Sequence, residues 1–256
     1  RIAVEHAGTG ELVIFLHGIG GNRLNWTGQV TAFAPFFHAV AWDARGYGDS
    51  DDYEGPLAFS DYADDIVRVL DHFGAAKAHV VGLSMGGRIA QDFAARHPGR
   101  LKTLTLCDTH KGFAGWSDEK KRAFIASRKE PLLADKEPKD IAGPVARTLV
   151  GPNASQEALD RLIDSMSRLH KKSYIKSIEA SVMMLVRDDL DRIKVPTLVL
   201  VGSEDKLTSV EMARELAAEI PDAEFVVIDD AGHLANIEQP AAFNDAVLGF
   251  LRRHTG

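Results

Sequence analysis

A chain of 256 residues that is 45% hydrophobic is long enough for one large core, and its net charge of -7 leaves no excess of positive field to hold nucleic acid or an anionic membrane surface. Its single cysteine, Cys107, cannot close an internal disulfide, no run of 18 apolar residues occurs, and residues 1–20 lack a secretory pattern, so the expected setting is the cytoplasm and the expected partner a small molecule. The first residue is Arg rather than Met, which leaves a preceding segment open, as composition leaves homo-oligomerisation open.

In chain order, the first uninterrupted apolar run is 12–16, followed by His17-Gly18-Ile19-Gly20-Gly21. Further runs follow at 39–42, 79–83, 103–106, 197–201 and 225–228. Runs without polar alternation predict strands buried on both faces, as in a parallel sheet covered by helices. The second run leads into Asp43-Ala44-Arg45-Gly46-Tyr47-Gly48-Asp49-Ser50, a loop expected to be structural, with Asp43 and Arg45 in local ion pairs. Phe59, Tyr62, Ile66, Val69, Leu70 and Phe73 then form a helical stripe closed by Gly74.

The third run ends in Gly82-Leu83-Ser84-Met85-Gly86-Gly87, and Ile89, Ala90, Phe93 and Ala94 follow at helical spacing. A serine on a sharp strand-to-helix turn needs glycine two positions to either side, because side chains there would collide with the crossing backbone. Ser84 is therefore the candidate nucleophile. A hydroxyl also needs a base, and the base a carboxylate to hold it in one tautomer. Asp108 follows the fourth run and Gly202-Ser203-Glu204-Asp205 the fifth. Asp205 is the expected acid, with Glu204 and Asp108 as rivals.

His233, in Ala231-Gly232-His233 after the last run, is the expected base, because groups at the carboxyl ends of strands gather in open α/β sheets. Of the other histidines, His79 is expected to begin a strand, His17 to organise its loop, and the rest to be ordinary surface or core residues. Backbone N–H groups of Ile19 and Met85 are the expected oxyanion donors. Thr208 with Glu211 reads as a capping box opening a helix that stops at Pro221, and Pro240 suits the first turn of a last helix carrying Phe243, Val247, Phe250 and Leu251.

The stretch 111–189 breaks the strand-helix rhythm and is net basic while the remainder is net acidic. It is expected to be a helical cap insertion whose segments are separated by Pro131, Pro138, Pro144 and Pro152, leaving 1–110 and 190–256 as the core domain of a doubly wound, mostly parallel α/β fold. Its charge reads first as a solvated helical surface and second as attraction for an acidic substrate. No Cys/His cluster and no G-x-G-x-x-G after a strand occurs, so neither metal nor cofactor is expected.

His17-Gly18, Asp43-x-Arg45-Gly46-x-Gly48-x-Ser50, Gly82-x-Ser84-Met85-Gly86-Gly87, Gly202-x-x-Asp205 and Gly232-His233 together resemble the α/β-hydrolase superfamily over essentially the full length. Gly82 to Gly87 and His233-Leu234-Ala235-Asn236-Ile237-Glu238-Gln239-Pro240 look most like 3-oxoadipate enol-lactonases, and similar strings occur in esterases, perhydrolases and carbon-carbon bond hydrolases. The resemblance implies a helical cap with Phe113, Trp116, Met166, Met183 and Met184 as candidates to line a substrate pocket. It implies cleavage of a small carboxylic ester or lactone. The alternatives are a carbon-carbon hydrolase or perhydrolase on the same triad, and a hydrolase-fold receptor that binds its ligand and cleaves it only slowly.

Overall fold

The structure is a computed structural model that describes residues 1–113, 115–183 and 187–256. Chain order is β1 (Val4–Ala7), β2 (Leu12–Leu16), α1 (Thr27–Phe33), β3 (His38–Trp42), α2 (Ser60–His72), β4 (Ala78–Leu83), α3 (Met85–Arg96), β5 (Leu101–Cys107), α4 (Asp118–Leu133), α5 (Pro138–Arg147), α6 (Gln156–Ser167), α7 (Lys171–Met183), β6 (Thr197–Gly202), α8 (Val210–Glu219), β7 (Glu224–Ile228), α9 (Ala235–Glu238) and α10 (Pro240–Arg252).

Seven strands form one sheet in the order β1-β3-β2-β4-β5-β6-β7. All neighbours are parallel except β1, which runs antiparallel to β3. The strands β2, β4 and β6 are buried at every residue, which is why their sequences read as unbroken apolar runs. The edge strand β1 was absent from the sequence expectation, because Val4–Ala7 is only half-buried and carries two polar residues. Helix α1 packs on α10 and α2 on α3. Phe15 of β2 stacks on Trp26 and meets Phe33 of α1 edge-on, so one aromatic cluster joins sheet to helix. Burying side chains of this size stabilises the fold by about 1.5–3 kcal/mol each.

Between β5 and β6 the described residues contain helices α4 to α7 and no strand. Two of the prolines expected to separate its segments lie inside helices instead, Pro131 in α4 and Pro144 in α5, while Pro138 opens α5. A proline removes one helix hydrogen bond, and in α5 the burial of Ile141, Ala142 and Ala146 along one stripe offsets that loss. The capping box expected at Thr208 is also absent. Ser209 caps α8 through Met212 N–H, because the Thr208 hydroxyl is engaged elsewhere. No helix among the described residues is long and apolar enough to cross a membrane.

Candidate active site

Ser84 sits between the end of β4 and the start of α3 with φ 56° and ψ -117°, a strained conformation for a residue with a side chain. The turn is held by Ser84 N–H donating to the Cys107 carbonyl at 2.9 Å and by the Thr109 hydroxyl donating to the Ser84 carbonyl at 2.7 Å. The flanking glycines have no substitute: a Cβ on Gly82 would lie 2.3 Å from the Gly86 carbonyl oxygen, and one on Gly86 2.2 Å from that of Leu16. The crossing of β4, α3 and the end of β2 is thus packed to backbone contact.

His233 follows β7 and is buried. Its Nε2 lies 2.8 Å from Ser84 Oγ and its Nδ1 2.8 Å from Asp205 Oδ2, so the ring bridges a hydroxyl and a carboxylate that come from different strand ends. The carboxylate requires the proton on Nδ1, which leaves Nε2 as the acceptor for the serine O–H. Asp205 Oδ1 accepts from Leu207 N–H at 2.8 Å and Thr208 N–H at 2.9 Å, and Oδ2 accepts from the Thr208 hydroxyl as well as from His233. Burial resists the charge on Asp205, but His233 and Thr208 outweigh it and hold the carboxyl below the usual range. Burial likewise opposes the charged form of His233; the nearby Asp205 carboxylate, with Asp108 and Glu238 behind it, prevails and raises the ring above its ordinary value.

The other candidate acids are placed differently. Glu204 is largely exposed and makes no side-chain hydrogen bond among the described residues, whereas Asp108 is fully buried with a φ of 45°. Asp108 accepts from Gly202 N–H at 2.8 Å and Ala235 N–H at 3.3 Å, tying the Asp205 loop to the His233 loop without touching the imidazole.

The loop after β2 passes beside the serine: a Cβ on Gly18 would be 3.1 Å from Ser84 Cβ. Met85 N–H is the first of α3 and so has no acceptor within the helix, and Ile19 N–H donates to no backbone carbonyl among the described residues. His17 is buried with Nδ1 2.7 Å from the Gly18 carbonyl and Nε2 accepting from Ala44 N–H at 3.1 Å. Burial keeps that ring neutral, in the tautomer that bridges two loops. Asp43 and Arg45 do form ion pairs, though with other partners than each other: Asp43 with Arg23, and Arg45 with Asp65 and Asp61.

A cavity of about 50 Å³ opens on Ser84 and His233, walled by Ile19, Trp26, Leu149, Leu162, Leu207 and Leu234. Room for a few waters is also room for a short acyl chain. Phe113, Trp116 and Met183, expected to line the pocket, are not among its walls. Phe113 and Trp116 instead pack with His110 and Phe124, and Met183 ends α7 largely exposed. Met166 lies against Gly20 of the loop, and Met184 falls outside the described residues. The sequence reading missed Leu149, whose carbonyl accepts from His233 N–H at 2.8 Å, and Glu238, whose carboxylate takes the N–H groups of Gly151, Gly232 and Leu234. These contacts splice the helical insertion to the histidine loop. Among the described residues no group of His, Cys, Asp and Glu is arranged to hold a metal ion.

The family described as "alpha/beta hydrolase fold" matches residues 11–240. A 3-oxoadipate enol-lactonase of Acinetobacter baylyi is 28% identical, with 98% of this chain and 94% of the relative covered. A 2-hydroxy-6-oxononadienedioate/2-hydroxy-6-oxononatrienedioate hydrolase of Burkholderia vietnamiensis is 30% identical, with coverages of 99% and 91%. A thermophilic esterase from Thermogutta terrifontis superposes with a TM-score of 0.88 at 31% identity, covering 99% of this chain and 94% of that one. With the sheet order, the serine turn and the match over most of its length in agreement, the chain belongs to the α/β-hydrolase fold family.

Proposed function

We propose that this chain is a serine hydrolase that cleaves a small carboxylic ester or lactone through an acyl-enzyme, in the manner of an enol-lactonase or a carboxylesterase. The observation that carries the reading is the hydrogen-bonded chain from Ser84 Oγ through His233 to Asp205, with 2.8 Å at each link. His233 Nε2 takes the serine proton as Oγ attacks the carbonyl carbon. In this reading the Ile19 and Met85 amides stabilise the developing oxyanion, and one such donor typically contributes about 100- to 1000-fold in rate. His233 then protonates the leaving oxygen, which in a lactone stays tethered to the acyl group. Water, deprotonated by the same nitrogen, attacks the acyl-enzyme and releases the acid. The small, mostly apolar cavity favours a short or compact acyl group.

Similarity to the nonadienedioate hydrolase supports a second reading, carbon-carbon bond cleavage on the same three residues. The two separate in one experiment: hydrolysis of p-nitrophenyl acetate, butyrate and octanoate, of muconolactone-derived enol-lactone and of a vinylogous 1,5-diketone acid, by the native protein and by Ser84→Ala. The expected result is turnover of a short ester or the enol-lactone, lowered about 10^4-fold or more by the substitution. Equal rates in the two proteins refute the assignment of Ser84, and turnover of the diketone alone selects the second reading.

A further inference from the structure

Among the described residues the helical insertion is two pairs, α4 packed on α7 and α5 packed on α6, and they meet the core differently. Helix α7 reaches it through Ser173 on Asp52, Ser177 on Tyr62 and Ser181 on Arg88, and none of these partners lies in the loops carrying Ile19, Ser84 or His233. The α5–α6 pair reaches two of those loops directly.

In the connection between α5 and α6, the Leu149 carbonyl accepts from His233 N–H at 2.8 Å and Gly151 N–H donates to Glu238 Oε2 at 2.8 Å. The same carboxylate accepts from the residues on either side of the histidine, Gly232 N–H at 3.0 Å on Oε2 and Leu234 N–H at 3.2 Å on Oε1. A Cβ on Gly232 would lie 2.3 Å from the Gly151 nitrogen, so the two segments touch backbone to backbone. Three successive amides of the histidine loop are thereby fixed, and a general base has to be held within about 0.5 Å of its productive place. Burial opposes the charged His233 ring, and Glu238 is one of the carboxylates, after Asp205 and Asp108, that outweigh it.

The second contact is Ser165 of α6, which is buried. Its oxygen accepts from Asn22 Nδ2 at 3.2 Å, and its single O–H faces Asn25 Oδ1 at 2.9 Å and the Gly20 carbonyl at 3.1 Å. Asn25 Oδ1 also accepts from Asn22 N–H at 2.8 Å, and Met166 packs on Gly20. Gly20 directly follows Ile19, so α6 seats the loop that carries the Ile19 amide. Leu149 and Leu162 of the same unit wall the cavity at Ser84.

We propose that the α5–α6 unit is a positioning element for the reaction, with Glu238 the positioning residue for His233 and Ser165 the positioning residue for the Ile19 loop, while α4 and α7 only cover the site. This rests on the serine-hydrolase reading above. The test measures kcat, KM and the pH profile on p-nitrophenyl acetate and butyrate in native protein, Glu238→Gln, Ser165→Ala and Ser177→Ala. Rates are expressed per site counted by organophosphate titration of Ser84.

Glu238→Gln keeps the shape with one acceptor oxygen and no charge. It is expected to lower kcat about 10- to 100-fold with KM within about threefold, and to move the acidic limb to lower pH. Ser165→Ala is expected to lower kcat about 5- to 20-fold with the limb unmoved. Ser177→Ala, which removes a buried hydroxyl of α7, is expected to lower Tm and leave kcat within about twofold. Glu238→Asp, with a shorter reach, and Ser165→Cys, a weaker donor of similar size, replace the first two should either not fold, and kcat is again the quantity that falls.

A kcat per site unchanged in either variant overturns the proposal, however far Tm falls, and so does a loss in Ser177→Ala as large as that in Ser165→Ala. The proton between His233 and Asp205, read by NMR without substrate, is expected to shift in Glu238→Gln and to stay in Ser165→Ala. In a protein that cleaves no ester, that pattern would sustain the hold on His233 and refute the hydrolase reading instead, whereas a proton that stays in Glu238→Gln overturns the proposal.

Discussion

The carboxyl ends of the neighbouring strands β5 and β6 each present a buried aspartate, and their surroundings drive the two in opposite directions. Asp205 has two backbone N–H donors, a hydroxyl and an imidazole pointing at its oxygens, and is held below the usual carboxylate range. Asp108 has two backbone donors and is pushed well above it, by burial first and by the charge of Asp205 second. Burial alone therefore does not choose the charged acid; the number of donors and the contact with His233 do. Asp108 serves the site as a clamp between two loops, and Asp205 as the anion that orients the ring.

The most severe way to break that comparison is Asp205→Asn, expected to lower kcat/KM by about 10^3- to 10^4-fold because the amide favours the wrong imidazole tautomer. A larger loss from Asp108→Asn, measured on the same substrate, would reverse the two roles. The pH profile sharpens it further. In the proposed mechanism His233 must be neutral to accept the serine proton, so activity is expected to fall as pH drops through its raised pKa. Removing the Asp205 charge lowers that pKa, and the acidic limb of the residual activity in Asp205→Asn is expected at lower pH than in the native protein. A limb that stays in place assigns it to another group.

Smaller effects follow. Thr208→Val deletes the hydroxyl that supports Asp205 Oδ2 and leaves the imidazole bond, so the expected loss in kcat/KM is about 3- to 10-fold. Asp108→Asn is expected to change the rate by less than about threefold. Its effect lies in stability, where one poorly satisfied backbone donor costs about 1–3 kcal/mol, read as a Tm lower by several degrees in calorimetry.

Much of this architecture was legible in the sequence wherever one physical cause dominates. Strands buried on both faces, such as β2, β4 and β6, have to be almost wholly apolar and were readable for that reason; of the two edge strands, β7 shows an apolar run although only its last residue is fully buried, whereas the half-buried β1, with Glu5 and His6, does not. Ser84, Asp205 and His233 were singled out because each follows a strand end beside glycine, a local signature of a turn that exposes a side chain. The pocket walls were not legible. Large side chains such as Phe113 and Trp116 suit an aromatic cluster as well as a substrate, and here they join the cluster.

By itself, then, the sequence determined six of the strands, the serine turn and the order of the three polar residues, because apolar runs and glycine placement are local properties that survive without knowledge of neighbours. Only the tertiary structure decided which aspartate meets the imidazole and that Glu238 and Leu149 splice the insertion to the histidine loop. Each of these depends on donors and acceptors brought together from distant parts of the chain, and a hydrogen bond leaves no periodicity in the residues that make it.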